Sequence, residues 1–170
     1  MRLTYTLMGL PPVLAGVVVF LILSASGPLG RLHLLFTPAA MVIAQTLLVL
    51  PIVTGLTSVT VAGKDREIRE TALALGATPR QAATKVLVEA RLGITGALAA
   101  GLGRAIGEVG AVMLVGGNIA GFTRVMTTAI VLETRKGDYT LGLWLGLILL
   151  VVAFLVNSVF AGLQGAGETR

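Results

Sequence analysis

A stretch too polar for lipid, set between runs too apolar for water, constrains this chain more than any other feature. Gly63 to Arg91, GKDREIRETALALGATPRQAATKVLVEAR, holds six of the thirteen Lys and Arg residues. Charged residues make up only 12% of the whole chain, against about a quarter in an ordinary soluble domain. Mean hydropathy is +0.94. The chain therefore reads as all-α, a polytopic transmembrane helix bundle of about four spans, forming one domain over residues 1–170 with a polar hairpin loop at 63–91.

That loop carries its own punctuation. A helical pattern runs from Lys64 to Leu75, and Gly76 stands where a left-handed C-terminal cap is wanted. Thr78, Pro79 and Gln81 then supply an N-cap, an N1 proline and an N3 partner, so a second helix is expected to start at Pro79. Leu73, Leu75, Ala82, Val86 and Leu87 are expected to form its apolar side, with Arg69, Arg80 and Lys85 left in water.

The first apolar run, Met8 to about Ser24, is long enough to span if it extends toward Gly27, with Pro11 and Pro12 at its start. A signal peptide is the competing reading, with Arg2 as its charged end and Ser24-Ala25-Ser26 as a cleavage site. The span is preferred because the remainder of the chain is itself a bundle of spans and needs no separate export signal. Ser26 to Gly30 reads as a turn, and His33 near it as a solvated side chain. A second span is expected from about Thr37 to Val61, kinked at Pro51. Leu92 to about Ile119 forms the third, so rich in Gly and Ala, with Gly103 and Gly107 as a GxxxG, that it is expected to be the central helix. Ala120 to Thr140 is a connection in which Val125 to Leu132 reads as re-entrant or interfacial. The last span covers about Leu141 to Leu163, with Tyr139 and Trp144 as interfacial anchors and Asn157 placed to bond across helices. Gln164 to Arg170 is a polar tail.

Four spans put both termini on one side. The 63–91 loop has twice the Lys and Arg of the 120–140 connection, six against three, so the loop and both termini are expected to be cytoplasmic. The same topology accounts for the net charge of +5; aromatic residues are not interleaved with the basic ones, so nucleic acid is not an expected partner, whereas membrane lipid is.

The chemical inventory is sparse. No G-x-x-x-x-G-K-[ST] occurs, and the dipeptide Gly63-Lys64 is followed by Asp65, so any ATP work would have to come from another chain. With no Cys, one His and no HExxH or GxSxG, neither a metal site nor a Ser-His or Cys-His nucleophile is supported. Asp65 and Asp138 both fall in loops, which argues against a paired-Asp protease. GLGRAIG, Gly101 to Gly107, follows no strand and reads as packing rather than a dinucleotide fingerprint. The chain is not expected to be an enzyme. The exception is Arg104 with Glu108, one helical turn apart and roughly 18 Å along the third span from Leu92. Ionisable groups at that depth face a bundle interior and pair. They read either as a helix-packing ion pair or as a position on a translocation path.

From Glu70 onward the loop resembles the cytoplasmic coupling loop of membrane subunits of prokaryotic ABC importers, E-A-A, three residues, G, nine residues, I-x-L-P. Glu70, Thr71 and Ala72 match the opening, Gly76 the glycine, and Val86 and Val88 the two apolar positions. Thr71 replaces an Ala and Glu89 the closing proline. GRAIGEVGAVMLVGGNIAGFTRVMTTAIVLETRKGDY, with MGLPPVLAG, SGPLG and LLFTPAAMVIAQT before it, is similar to tungstate-type permeases, relatives of the molybdate and sulfate permeases. Such members usually carry a further span before the segment at which this chain starts, so the resemblance implies an N-terminally shortened chain.

The resemblance implies a multi-pass protein of the prokaryotic inner membrane, one subunit of a homodimeric permease. An ATP-binding cassette ATPase, carrying ATP and Mg, would be its cytoplasmic partner, and an extracytoplasmic oxyanion-binding protein would feed it; no cofactor is implied on this chain. Glu70, Ala72, Gly76, Val86 and Val88 would form the ATPase-coupling surface. The function implied is ATP-driven import of an oxyanion, tungstate first; a molybdate or sulfate permease, or a membrane scaffold that docks a cytoplasmic partner without transporting anything, is the alternative.

Overall fold

The computed structural model describes residues 2–168. α1 (Arg2–Met8) and α2 (Pro12–Leu23) meet at 98°. Pro12 forces the preceding residue out of the helical region, and Pro11 is accordingly extended at φ −61°, ψ 128°. The expected first span is thus a bent pair: α2 alone, twelve residues, covers about 18 Å. A turn follows through Gly27 and the short 3-10 segment Gly30–Leu32. Gly27 is required there, since a Cβ would lie 2.6 Å from the Ile22 carbonyl oxygen.

Thr37 caps α3 (Pro38–Ala74) by accepting from the Ala40 N–H, with Pro38 at N1. The helix passes through Pro51 and does not stop near Val61. It fuses the expected second span with the first loop helix. A lone glycine with ordinary φ, such as Gly63, weakens a helix by about 1 kcal/mol without ending it, and the ion pairs Asp65–Arg69 and Arg66–Glu70 carry the helix onward at i,i+4 spacing. At 37 residues, α3 is about 55 Å long, well beyond the roughly 30 Å hydrocarbon core.

α4 (Pro79–Glu89) and α5 (Arg91–Ile106) follow, bent by 54° at Ala90. The expected third span is broken: α5 ends at Ile106 and α6 (Gly110–Gly116) begins after Gly107 to Val109. α7 (Met126–Arg135) contains most of the short apolar run and packs on α8 (Tyr139–Glu168).

α3, and not the third span, is the central element: it touches α1, α2, α4, α5 and α6. α5 meets it through a different small-residue row from the one expected. Gly93, Ala97 and Gly101 form the seam, where a Cβ on Gly101 would lie 2.5 Å from Val53 Cγ2 and 2.9 Å from Val49 Cγ1. Gly103 faces away, with nothing within 4 Å of a Cβ built there. The buried core joins Ala15, Val19 and Leu23 of α2 to Ala44 and Leu48 of α3 and to Ala111, Val112 and Val115 of α6. Gly16 lets α2 approach the α6 backbone at Ala111.

Among the described residues two helices, α3 and α8, are each long and apolar enough to cross a membrane, and up to four crossings result if each bent pair is one span. The apolar window of α8 has no buried residue, and Tyr139 and Trp144 at its start are exposed. Asn157 donates to its own helix at the Ala153 carbonyl, 2.9 Å, instead of across helices. Of the polar tail, nothing beyond Glu168 lies within the described residues, and the side chains from Leu163 onward also lie outside them.

Candidate functional site

Two polar features stand out of the apolar bundle: the hairpin at the end of α3, and the junction between α5 and α6.

The hairpin is built from cap chemistry. Gly76 takes φ +87°, its N–H donates to the Leu73 carbonyl, and the Ala77 N–H donates to the Ala72 carbonyl, both at 3.0 Å. These two bonds are the Schellman pair that closes a helix on a left-handed residue. Thr78 N–H donates to Gln81 Oε1 at 2.8 Å and Gln81 N–H to Thr78 Oγ1 at 3.4 Å, completing the capping box. α4 then folds back on α3 through Ala82, Val86 and Ala90, all buried and spaced i,i+4.

Leu73, Leu75 and Leu87 do not share that buried side. Leu75 is 83% exposed at the tip, because only the small-residue edge of α4 approaches α3. A groove of about 670 Å³ opens between the two helices, lined by Ile68, Ala72, Leu75, Gln81 and Lys85 among others. Sequence reasoning missed it; Leu75, one position before a cap glycine where α3 has no further turn to cover it, was the available signal. Of the five residues assigned to coupling, Glu70 and Val88 are exposed, Gly76 is at the turn, Ala72 is half-buried on the groove, and Val86 points inward.

Three ion pairs, Arg66–Glu70, Asp65–Arg69 and Lys85–Glu89, tie charges of the hairpin together along its own helices. Glu70 Oε1 accepts from Arg66 Nε at 3.1 Å. A hydrogen bond from Arg69 holds the Asp65 carboxyl below its ordinary range, and one from Lys85 does the same for Glu89.

The junction holds the second candidate pair. Arg104 sits in the last turn of α5 and Glu108 in the break, with Arg104 Nη1 3.1 Å from Glu108 Oε2. The carboxylate is buried, its side chain 3% exposed, while the Arg104 side chain is 37% exposed. Glu108 Oε1 accepts from the Ala111 N–H at 3.1 Å and so satisfies a free amide in the first turn of α6. That bond explains the break: a buried side-chain acceptor takes over an amide that a continuous helix would have given to the Gly107 carbonyl.

Neighbouring helices fix the same junction through its backbone. Thr127 Oγ1 of α7 donates to the Glu108 carbonyl at 3.1 Å, and Gln45 Nε2 of α3 donates to the Ala105 carbonyl at 3.2 Å. A cleft of about 320 Å³ beside it is lined by Gln45, Ala105, Glu108, Met126 and Thr127 among others. Sequence reasoning paired Arg104 with Glu108 but missed Gln45 and Thr127. Gln45 was the one amide side chain within the second apolar run. Among the described residues no three of His, Asp and Glu gather to hold a metal ion.

Comparison with known proteins gives the same outline. The sequence model of a family described as binding-protein-dependent transport system inner membrane component matches residues 1–170. The chain is 48% identical over 159 residues to a probable anion ABC transporter permease protein of Haloferax volcanii, covering 91% of this chain and 68% of that one. It is 44% identical over 163 residues to the tungstate uptake system permease protein of Peptoclostridium acidaminophilum, with 96% and 72% covered. The protein of the same name from Campylobacter jejuni is 36% identical over 154 residues, with 91% and 64% covered. This chain thus spans about two thirds of the length of these relatives. No solved structure matches.

Proposed function

The chain belongs to the family of binding-protein-dependent transport system inner membrane components, and from that membership we propose that it is the permease subunit of an ATP-driven importer for an oxyanion. Tungstate is the favoured substrate, since two relatives that cover most of the chain are named as tungstate uptake permeases; relatives named for molybdenum and sulfate transport are less similar. ATP and Mg belong to a separate ATPase subunit. An extracytoplasmic binding protein delivers the anion.

The observation that carries this reading is the uninterrupted α3. A helix of 37 residues exceeds the hydrocarbon core by about 25 Å, so its last turns and α4 stand clear of the membrane as one stiff lever. Ala72 lines the groove, Gly76 forms the tip, and Glu70 and Val88 are exposed on the flanks of that lever, where an ATPase subunit would engage them. Val86 acts from within, holding α4 to α3. The loop and both termini are cytoplasmic by the distribution of Lys and Arg.

The half-exposed Arg104 supports a homodimer with a polar path. A guanidinium in an apolar helix does not face lipid. Open space beside Gly103, with Arg104 next to it, is therefore turned toward water or toward a second copy of the chain. In that setting Arg104 attracts the anion and Glu108 limits the attraction.

ATP hydrolysis by the purified complex of this chain with its ATPase tests the reading. Tungstate-loaded binding protein should raise the rate several-fold over the unloaded protein. A rate indifferent to loaded protein carrying tungstate, molybdate or sulfate would overturn it.

A further inference from the structure

The two partners of the junction ion pair are held very differently. Glu108 is fixed on three sides: Oε1 by the Ala111 N–H, Oε2 by Arg104, and its carbonyl by Thr127. Arg104 is held on one. Among the described residues its guanidinium has no polar partner other than Glu108, and over a third of the side chain is exposed. A guanidinium offers five N–H donors in a planar fork, most of which therefore remain for another acceptor. When a competing anion arrives, Arg104 is the partner free to turn and Glu108 is the one that stays.

We propose that Glu108 is a positioning residue for anion passage: its fixed carboxylate holds Arg104 while the path is empty and reclaims it from the transiting oxyanion, setting how fast the anion leaves. The proposal rests on the transport reading above and deepens it. A dianion attracts a guanidinium about twice as strongly as a single carboxylate does at equal distance, so it can compete for Arg104 with the carboxylate already in place. The reverse step has its own drive. With Arg104 withdrawn, a buried carboxylate keeps a single donor, the Ala111 N–H, and an uncompensated buried charge is unfavourable. Gln45 and Thr127 hold the backbone of the junction without using either charge, so the exchange does not depend on unfolding the break. Glu108 acts here only through Arg104 and need not touch the anion.

The test uses the complex with its ATPase, with radiolabelled tungstate as the probe. Glu108→Gln keeps an acceptor for Ala111 but loses the charge that reclaims Arg104. Equilibrium binding of tungstate to the detergent-solubilised complex, without binding protein, should tighten about fivefold or more, while the maximal rate of ATP-dependent uptake in vesicles with binding protein falls by a similar factor. Glu108→Asp, which keeps the charge on a shorter arm and so loosens its hold on Arg104, should shift binding and uptake in the same directions by less, which decides the matter if Glu108→Gln alone does not fold; the neutral double variant Arg104→Gln, Glu108→Gln should bind tungstate more weakly than the unmodified chain. Slower uptake by Glu108→Gln with unchanged binding, or unmodified binding and uptake by the double variant, overturns the proposal and leaves a packing pair. Failure of the unmodified complex to take up tungstate, molybdate or sulfate overturns the transport reading itself.

Discussion

Replacing Gly76 by valine separates docking from membrane insertion. Gly76 holds φ +87°, and a Cβ built on it meets nothing within 4 Å. The penalty is therefore one of backbone conformation alone, about 1–2 kcal/mol for a residue with a Cβ in the left-handed region and more for a β-branched one. An energy of that size lowers the closed-to-open ratio of the hairpin by a factor of roughly 5–30. Asparagine tolerates the left-handed region, so Gly76→Asn should be much milder. The assay is co-purification of the ATPase with tagged permease from membranes, alongside the amount of permease inserted. Insertion should be unchanged for both variants, and ATPase recovery should fall severely for Gly76→Val and little for Gly76→Asn. Wild-type recovery of the ATPase with Gly76→Val, together with normal transport, would refute the coupling role of the turn.

The packing and the charges have further consequences. Gly101→Val drives a branched side chain into Val49 and Val53 and should destabilise the purified protein by about 1–3 kcal/mol, whereas Gly103→Ala, which meets nothing within this chain, should lower the thermal midpoint far less than Gly101→Val does. Because its hydrogen bond from Arg69 lowers the Asp65 pKa, the hairpin's stabilisation from this pair is present above the ordinary unfolded value near about 3.9 and lost as pH falls through the lower folded value; Asp65→Asn should remove that part of the acid sensitivity of helicity. Arg104→Met leaves the Glu108 carboxylate without its cation and should lower the thermal midpoint, and the double variant Arg104→Met, Glu108→Leu should recover part of it, the remainder being the Ala111 N–H left without its side-chain acceptor. Uptake by that double variant at the unmodified rate would reject a path role for Arg104.

What could be read from residues alone was the local chemistry. Gly76, Thr78, Pro79 and Gln81 specify a cap and a capping box whatever surrounds them, and the hairpin turn forms as expected. Arg104 and Glu108 are four apart, and their pairing needs only that spacing. The longer-range features depended on tertiary choice. Gly63 stops a helix only if it takes positive φ, and nothing local decides whether the chain turns there or runs on into Lys64. Gly93, Ala97 and Gly101 are as much a small-residue row as Gly103 and Gly107; Thr60, Val53 and Val49 of α3 select between them. The break at Gly107 arises because Glu108 is buried where its carboxylate can reach the Ala111 amide, and burial of one side chain has no signature in a run of glycine and alanine.

The central claim is that this chain carries an oxyanion across a membrane at the expense of ATP hydrolysed elsewhere. The most direct measurement is accumulation of radiolabelled tungstate in sealed vesicles reconstituted with this chain, its ATPase and the oxyanion-binding protein. Accumulation should require all three together with ATP, should be lost in vesicles made without this chain, and should be competed by molybdate or sulfate only at higher concentration. Vesicles that hold the assembled complex, hydrolyse ATP and yet gain no more tungstate, molybdate or sulfate than vesicles lacking the chain would contradict it.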